Sequence, residues 1–482
     1  MARAASGCGT ALSRGARSGG SERGRWGGGV FLWAGCFTVA ALAGLVVPAA
    51  ARAQQTIPTF EEAVNFDCSG LGEYSGVPFG IAVADYNEDG WPDLAVANAP
   101  VGVYSCSPGG QPSVTIFTNT GDWGDTEDGF TLTDLSICDD CGPAEVAFAD
   151  MNDDELLDLV VSATDGDPGY GTWGVYVSFQ NESHQFSSFT AYENPVDHAQ
   201  SPVRGLVASD FNNDGLPDVA VTGDMCWDEQ NDKVYVFGNT NGVLSREDLD
   251  DLGLTEEQAV GHDLVAGDFI TGPSGGLPDL ITCNMLETSE LSVLRNNGGF
   301  DFDVYPYDDP CESGWGNFAD VVAGHINPGT ALDVALVNRG GEEVRVHYGD
   351  NTGDFTHNCA DHESGGDRYV VAPGWCCGSP VYDQHAGIAL GDINADNKLD
   401  LVVCGPAGTS KIAMLLGKSA MTSPGKFQFN NDDEDYYVSL IPSEGSAELP
   451  VRVVIADFDD DGKMDIVTTN HLSNNISVLI QE

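Results

Sequence analysis

Basic residues are scarce in this chain. Its 482 residues carry 19 Lys and Arg against 75 Asp and Glu, a formal net charge of −56. That balance excludes a nucleic-acid binder working through a basic face and simple electrostatic docking on anionic lipid. Long apolar runs are missing beyond the N-terminus. No later stretch reaches about 18 apolar residues, so nothing there is expected to span a bilayer as a helix. Helical periodicity is nearly absent, and no His-Glu-x-x-His zinc motif occurs. The acidity does not imply disorder, because 41% hydrophobic residues can build a core.

Residues 1–53 read as a signal peptide. Arg3, Arg14, Arg17, Arg23 and Arg25 come first, an apolar run from Val30 to Val47 follows, and Ala51-Arg52-Ala53 offers small residues for cleavage. A retained membrane anchor is the rival reading. Removal of the leader takes Lys and Arg from 19 to 13 and Asp and Glu from 75 to 74, leaving a net charge of −61. The expected location is secreted or cell-surface, in the periplasm or outside the cell.

The remaining acids recur in a fixed pattern. Repeat one carries Asp85, Asn87, Asp89, Gly90 and Asp93; repeat two Asp150, Asn152, Asp154 and Asp158; repeat three Asp210, Asn212, Asp214, Gly215 and Asp218. Repeat six carries Asp392, Asn394, Asp396 and Asp400, and repeat seven Asp457, Asp459, Asp461, Gly462 and Asp465. Two copies are damaged. In repeat four an insertion separates Asp268 from Asp279; in repeat five His325 and Gly329 replace ligands, leaving Asn327 and Asp333. The first positions are 85, 150, 210, 268, 325, 392 and 457, an even spacing that fills residues 54–482 with one domain of seven units.

Apolar runs of period two flank each acidic loop, as in Leu206-Val-Ala-Ser and Val219-Ala-Val, and a third follows, as in Val234-Tyr-Val-Phe. β-Branched residues at period two mean strands. Four strands per unit, seven units and no crossover helices predict an all-β fold, a seven-bladed β-propeller of four-stranded blades. Repeat seven ends after its third strand, so a strand around Thr59 to Phe66 is expected to supply its fourth and close the ring.

Side-chain oxygens at positions 1, 3, 5 and 9 of a tight loop, with the carbonyl at position 7, can surround one hard cation, and Gly at position 6 permits the turn. The carbonyl donors are Trp91, Leu156, Leu216, Lys398 and Lys463. An all-oxygen, carboxylate-rich set points to Ca2+, at about five structural sites. The position-12 Glu of an EF-hand is absent and the flanks are strands. The competing reading is an acidic turn that uses Asp, Asn and Gly for turn chemistry alone. Glu155 and Asn397 replace the position-6 Gly, and Glu tolerates a left-handed backbone poorly. Repeats four and five are expected to hold no calcium.

The Asp-x-Asn/Asp-x-Asp-Gly-x-x-Asp-hydrophobic core resembles the FG-GAP or VCBS repeat family, best known from integrin α-subunit propellers, and Phe79-Gly80 supplies the Phe-Gly pair before repeat one. The resemblance implies calcium held between the first two strands of a blade, and a family that includes adhesion receptors, lectin-like proteins and some polysaccharide lyases. It implies little about activity.

Of 13 Cys, Cys8 and Cys36 leave with the leader, and the odd remainder predicts at least one thiol without an intramolecular partner. Cys138-x-x-Cys141 is expected to form a local disulfide rather than a zinc or redox site. Strand direction assigns loops to two faces. Tyr170, Trp173, Trp227, Trp315 and Trp375 map to the face away from the acidic loops, as binding candidates or as cover for loop cores. Glu145, Arg204, His262, Asp263, Asp320, His385 and Arg452 should ring the central channel, where the two Arg either grip a ligand carboxylate or pair with the ring acids. The leading functional expectation is a secreted binding or adhesion module for an extracellular protein or glycan. The alternative is a lectin-like protein or a polysaccharide lyase or hydrolase using the channel mouth.

Overall fold

The structure is a computed structural model. It describes residues 57–68, 77–99, 112–123, 129–138, 141–165, 173–194, 203–223, 233–247, 263–271, 276–284, 290–305, 318–338, 343–356, 367–371, 386–404, 410–418, 427–428, 436–440, 449–471 and 473–482. The expected leader, residues 1–53, lies outside these residues.

The period-two runs fold as seven antiparallel sheets in chain order, a seven-bladed β-propeller. Blade one shows the plan: Val77–Ala84, Asp93–Ala99, Ser113–Asn119 and Phe130–Ser136 pair as successive neighbours. In blades five and six the fourth strand comes in two pieces, Phe355–Thr356 with Arg368–Val370 and Phe427–Gln428 with Tyr437–Ser439. The seven first strands touch one another in sequence, and the seventh touches the first. They therefore line the centre of a closed ring.

The ring is shut by an exchanged strand. Val64–Asp67 forms the fourth strand of blade seven beside Asn475–Leu479, in the register Val64 to Val478 and Asp67 to Asn475. Phe60 bridges Gln481, and the Glu482 amide donates to the Thr59 carbonyl at 2.9 Å. The expected closing strand is present and gives blade seven its fourth strand.

The core is a set of layers between blades. Between blades seven and one, Ile81, Leu94, Phe117 and Phe130 meet Phe66, Phe458 and Val478. Phe130 meets Phe66, Phe117 and Phe458 edge-to-face at 5.3, 5.8 and 6.0 Å. Each such Phe contributes about 1.5–3 kcal/mol by burial.

Five of the first strands carry a β-bulge near their start, with register shifts before Ile81, Glu145, Leu206, Asp320 and Arg452. Counting back from each acidic loop, one channel position per blade reads Gly80, Glu145, Gly205, Asp263, Asp320, Gly387 and Arg452. The glycines are forced by close approach: a Cβ on Gly80 would lie 2.7 Å from the Glu145 Cα, and one on Gly387 2.8 Å from the Arg452 Cα. Small positions thus make room for the charged neighbour in the next blade. Amides at the channel position find partners on the second strand. Glu145 donates to Ser162 Oγ at 3.1 Å, Gly205 to Thr222 Oγ1 at 2.8 Å and Gly387 to the Cys404 thiol at 3.3 Å.

Candidate functional site

The acidic loops join first strand to second in every blade. In repeat one the Asp89 amide donates to Asp85 Oδ1 at 3.0 Å and Asn87 Oδ1 at 2.9 Å; Gly90 donates to Asp85 Oδ2 and Trp91 to Asp89 Oδ1, both at 2.9 Å. The same four bonds recur with Asp150, Asn152 and Asp154, with Asp210, Asn212 and Asp214, with Asp392, Asn394 and Asp396 and with Asp457, Asp459 and Asp461. These bonds curl the loop around the side chains of positions 1, 3 and 5, each of which accepts from a backbone amide of the loop.

Two residues per loop take left-handed backbone. Position 6 does so at Gly90, Glu155, Gly215, Asn397 and Gly462, and position 4 does so at Glu88, Asp153, Asn213, Ala395 and Asp460. The first set follows from the turn Gly. The second carries no sequence signal, since Glu, Asp, Asn and Ala share the place.

Position 9 has a double role. One oxygen accepts the amide at the end of the third strand of the same blade: Asn119 to Asp93 at 2.7 Å, Gln180 to Asp158 at 2.8 Å, Asn239 to Asp218 at 2.8 Å and Gln481 to Asp465 at 2.8 Å. The other accepts the position-2 amide: Met151 to Asp158 at 3.0 Å, Phe211 to Asp218 at 3.0 Å and Phe458 to Asp465 at 2.8 Å. Asp279 and Asp333 in the damaged repeats bind the third-strand amides of Asn296 and Gly349 in the same way. This Asp therefore fastens the blade whether or not a full donor set surrounds it.

Burial pushes Asp93 up to about 8, with added repulsion from Asp89 and Asp85. Burial likewise pushes Asp158, Asp218, Asp400 and Asp465 up to about 7. In the damaged loops Asp279 and Asp333 rise only to about 6; one acid, Asp268, faces Asp279, and His325 lowers Asp333. The intact loops concentrate negative charge that a cation would relieve.

The donor chemistry fits a hard divalent ion. One oxygen each from Asp457, Asp459 and Asp465 lie within 4.8 Å of one another, the span of oxygens around an ion with contacts of about 2.3–2.6 Å. Asp93 Oδ2 is buried without a hydrogen-bond partner. The side chains of Lys398 and Lys463, whose carbonyls are the position-7 donors, pair with Asp396 and Asp461. Repeat five closes on itself: His325 Nδ1 meets the Ala331 carbonyl at 2.9 Å, and Asn327 Nδ2 donates to Asp333 Oδ1 at 2.8 Å.

Loops of this geometry, repeated blade after blade, point to one family of repeats. Residues 85–161 and 150–221 match the FG-GAP-like repeat. The chain carries FG-GAP-like repeats. No curated protein matched the chain. The FG-GAP propeller is in general a binding scaffold.

The channel holds a second cluster. Arg452 Nη2 lies 3.2 Å from Glu145 Oε2 and 3.2 Å from Asp263 Oδ2, and Nη1 lies 3.7 Å from Asp320 Oδ2. Asp320 Oδ2 also accepts the Ile388 amide at 2.9 Å. The guanidinium sits over the Phe79 ring at 5.3 Å. Burial drives Glu145 up to about 7 against the pull of Arg452, and drives Asp263 well above the carboxylate range. Arg452 thus pairs with the ring acids of blades two, four and five. Arg204, one residue before the ring position, is buried.

Trp173, expected in a loop, instead opens the third strand of blade two, opposite Thr164. Tyr170, Trp227, His262, Trp315, Trp375 and His385 lie outside the described residues. Cys138 and Cys141 are disulfide-bonded. The letters Gly-x-Ser-x-Gly occur once, at 272–276 in the insertion of repeat four. The strand Asp279–Cys283 follows, so the strand-to-helix turn of a nucleophile elbow is missing there. The amide side chains at the ends of the third strands escaped the sequence reading. Their only signal is an Asn or Gln closing the third apolar run.

Proposed function

We propose that this protein is a secreted, calcium-binding β-propeller that serves as an extracellular binding or adhesion module for a protein or glycan. The observation that carries the calcium assignment is the recurrence of one loop geometry in five blades, which in loop seven brings one oxygen each of positions 1, 3 and 9 within 4.8 Å of one another. Ca2+ held there would neutralise the clustered carboxylates. The chain's own residues set the site: amides of positions 5, 6 and 7 orient the ligand side chains, and position 9 ties the loop to the third strand. At the roughly 10⁻⁴–10⁻³ M affinities of extracellular modules, millimolar calcium adds on the order of 1 kcal/mol per site.

The binding reading rests on the closed seven-bladed ring, a scaffold of the kind that carries its ligands on the loops between its strands. The enzyme alternative needs free acid and base groups at the channel, and Arg452 engages Glu145, Asp263 and Asp320 with one another. Calcium titration of the stripped protein, followed by a glycan and polysaccharide array with calcium or chelator, tests both parts. Asp89→Ala and Asp461→Ala are expected to lower the melting temperature in calcium and to have little effect in chelator. An equal loss in both conditions would sink the metal assignment. Calcium-dependent capture of one sugar class would favour the lectin-like form, and no capture by folded protein would favour a protein ligand.

A further inference from the structure

The third-strand amides do more than fasten their own blade. Asn119 Nδ2 donates to the Phe458 carbonyl at 2.9 Å, Gln180 Nε2 to Tyr86 at 3.0 Å, Asn239 Nδ2 to Met151 at 2.8 Å and Asn296 Nδ2 to Phe211 at 2.8 Å. Each acceptor is position 2 of the cation loop in the preceding blade: loops seven, one, two and three. Gln481 holds the equivalent place beside loop six; its Oε1 is buried without a partner, and its strap is not closed. The two remaining places, beside loops four and five, are Gly349 and Gly417. No side chain fits there: an added Cβ would lie 2.1 Å from the Leu332 carbonyl oxygen and 2.4 Å from that of Leu399. Every intact loop is thus followed by Asn or Gln, and each damaged loop by Gly.

We infer that Asn119, Gln180, Asn239 and Asn296 are positioning residues for the cation site of the preceding blade. The inference rests on the calcium reading above. The peptide at position 2 explains how it works. Its carbonyl is held by the neighbouring blade, and in loops two, three and seven its amide is held by the position-9 carboxylate. Its side chain is buried, as Tyr86, Met151, Phe211 and Phe458. Positions 1 and 3 flank it directly, so fixing it fixes both ligands. Each strap residue also donates its own amide to position 9 of its own blade. Hydrogen bonds therefore run without a break from the Tyr86 carbonyl of loop one through loops two and three to Asp279, and a separate run joins loop seven to Asp93.

Partners that orient metal ligands typically matter by 10–100-fold in affinity. Asn239→Ala is expected to weaken one calcium site about tenfold by isothermal titration of the full chain. The same substitution in an Asp154→Ala background, where loop two is already disabled, is expected to leave the isotherm unchanged. Asn239→Gln should restore part of the affinity. An unchanged isotherm for Asn239→Ala, or an equal change in both backgrounds, overturns the inference while leaving calcium binding in place. No calcium uptake by the wild-type chain overturns the calcium reading itself, and this inference with it. Should Asn239→Ala fail to fold, Gln180→Ala with Asp89→Ala forms the same cycle at loop one, where the strap is a single inter-blade bond.

Discussion

At the scale of single residues, the sequence shows where the acidic turns lie and leaves out how the backbone is bent within them. The turn built on Asp85, Asn87 and Asp89 was legible because carboxylates and Gly repeat at fixed spacing. The left-handed backbone at Glu88, Asp153, Asn213, Ala395 and Asp460 was not, because the bonds of positions 1 and 3 impose it on whatever residue stands there. Glu155 is the one position-6 residue that is neither Gly nor Asn, with φ of 69°. Replacing it by Gly removes a Cβ penalty of about 1–2 kcal/mol and gives part of it back as unfolded-chain entropy. Glu155→Gly is therefore expected to stabilise the protein by about 0.5–1 kcal/mol in denaturant melts. A destabilised variant would show that Glu155 makes a contact worth more than its backbone strain.

At the scale of strands, the alternation of apolar residues placed every blade, and the truncated seventh repeat correctly anticipated the closing strand. What it did not show is how the bulged first strands meet their neighbours. Ser162, Thr222, Cys283 and Cys404 stand at one register position of the second strand, four residues after the position-9 Asp. Nothing in their local pattern marks them, because the amides that Ser162, Thr222 and Cys404 accept lie at the start of another strand. Thr222→Val keeps the shape and removes the acceptor for the Gly205 amide. It is expected to cost about 1–3 kcal/mol, the cost of a buried unpaired amide, while Thr222→Ser costs much less. Equal losses for the two variants would mean that the methyl group, not the hydroxyl, matters there. The inter-blade straps were hidden for a similar reason: their partners lie 85 to 339 residues apart.

For the molecule as a whole, the sign of the buried carboxylates sets the response to pH. Glu145, Asp158, Asp218, Asp400 and Asp465 sit near 7 and Asp93 near 8 in the folded ring, against about 4 in an unfolded chain. The folded state then binds more protons than the unfolded one between those values. Stability is full below about pH 4 for these groups and is lost as pH rises through 7 to 8. Calcium-stripped protein is expected to melt higher at pH 5 than at pH 8, and calcium should narrow that gap by taking the place of the protons. A stripped protein that is most stable at pH 8 would contradict the burial of these acids. The exchanged strand has a mechanical consequence. Residues 59–61 and 480–482 continue the antiparallel pairing outward, so the chain enters and leaves the ring side by side. Tension applied between the two ends loads that pair at one tip, and its hydrogen bonds open one at a time, like a zip, rather than sharing the load. Single-molecule pulling through the termini should open blade seven at lower force than pulling through two inner strands.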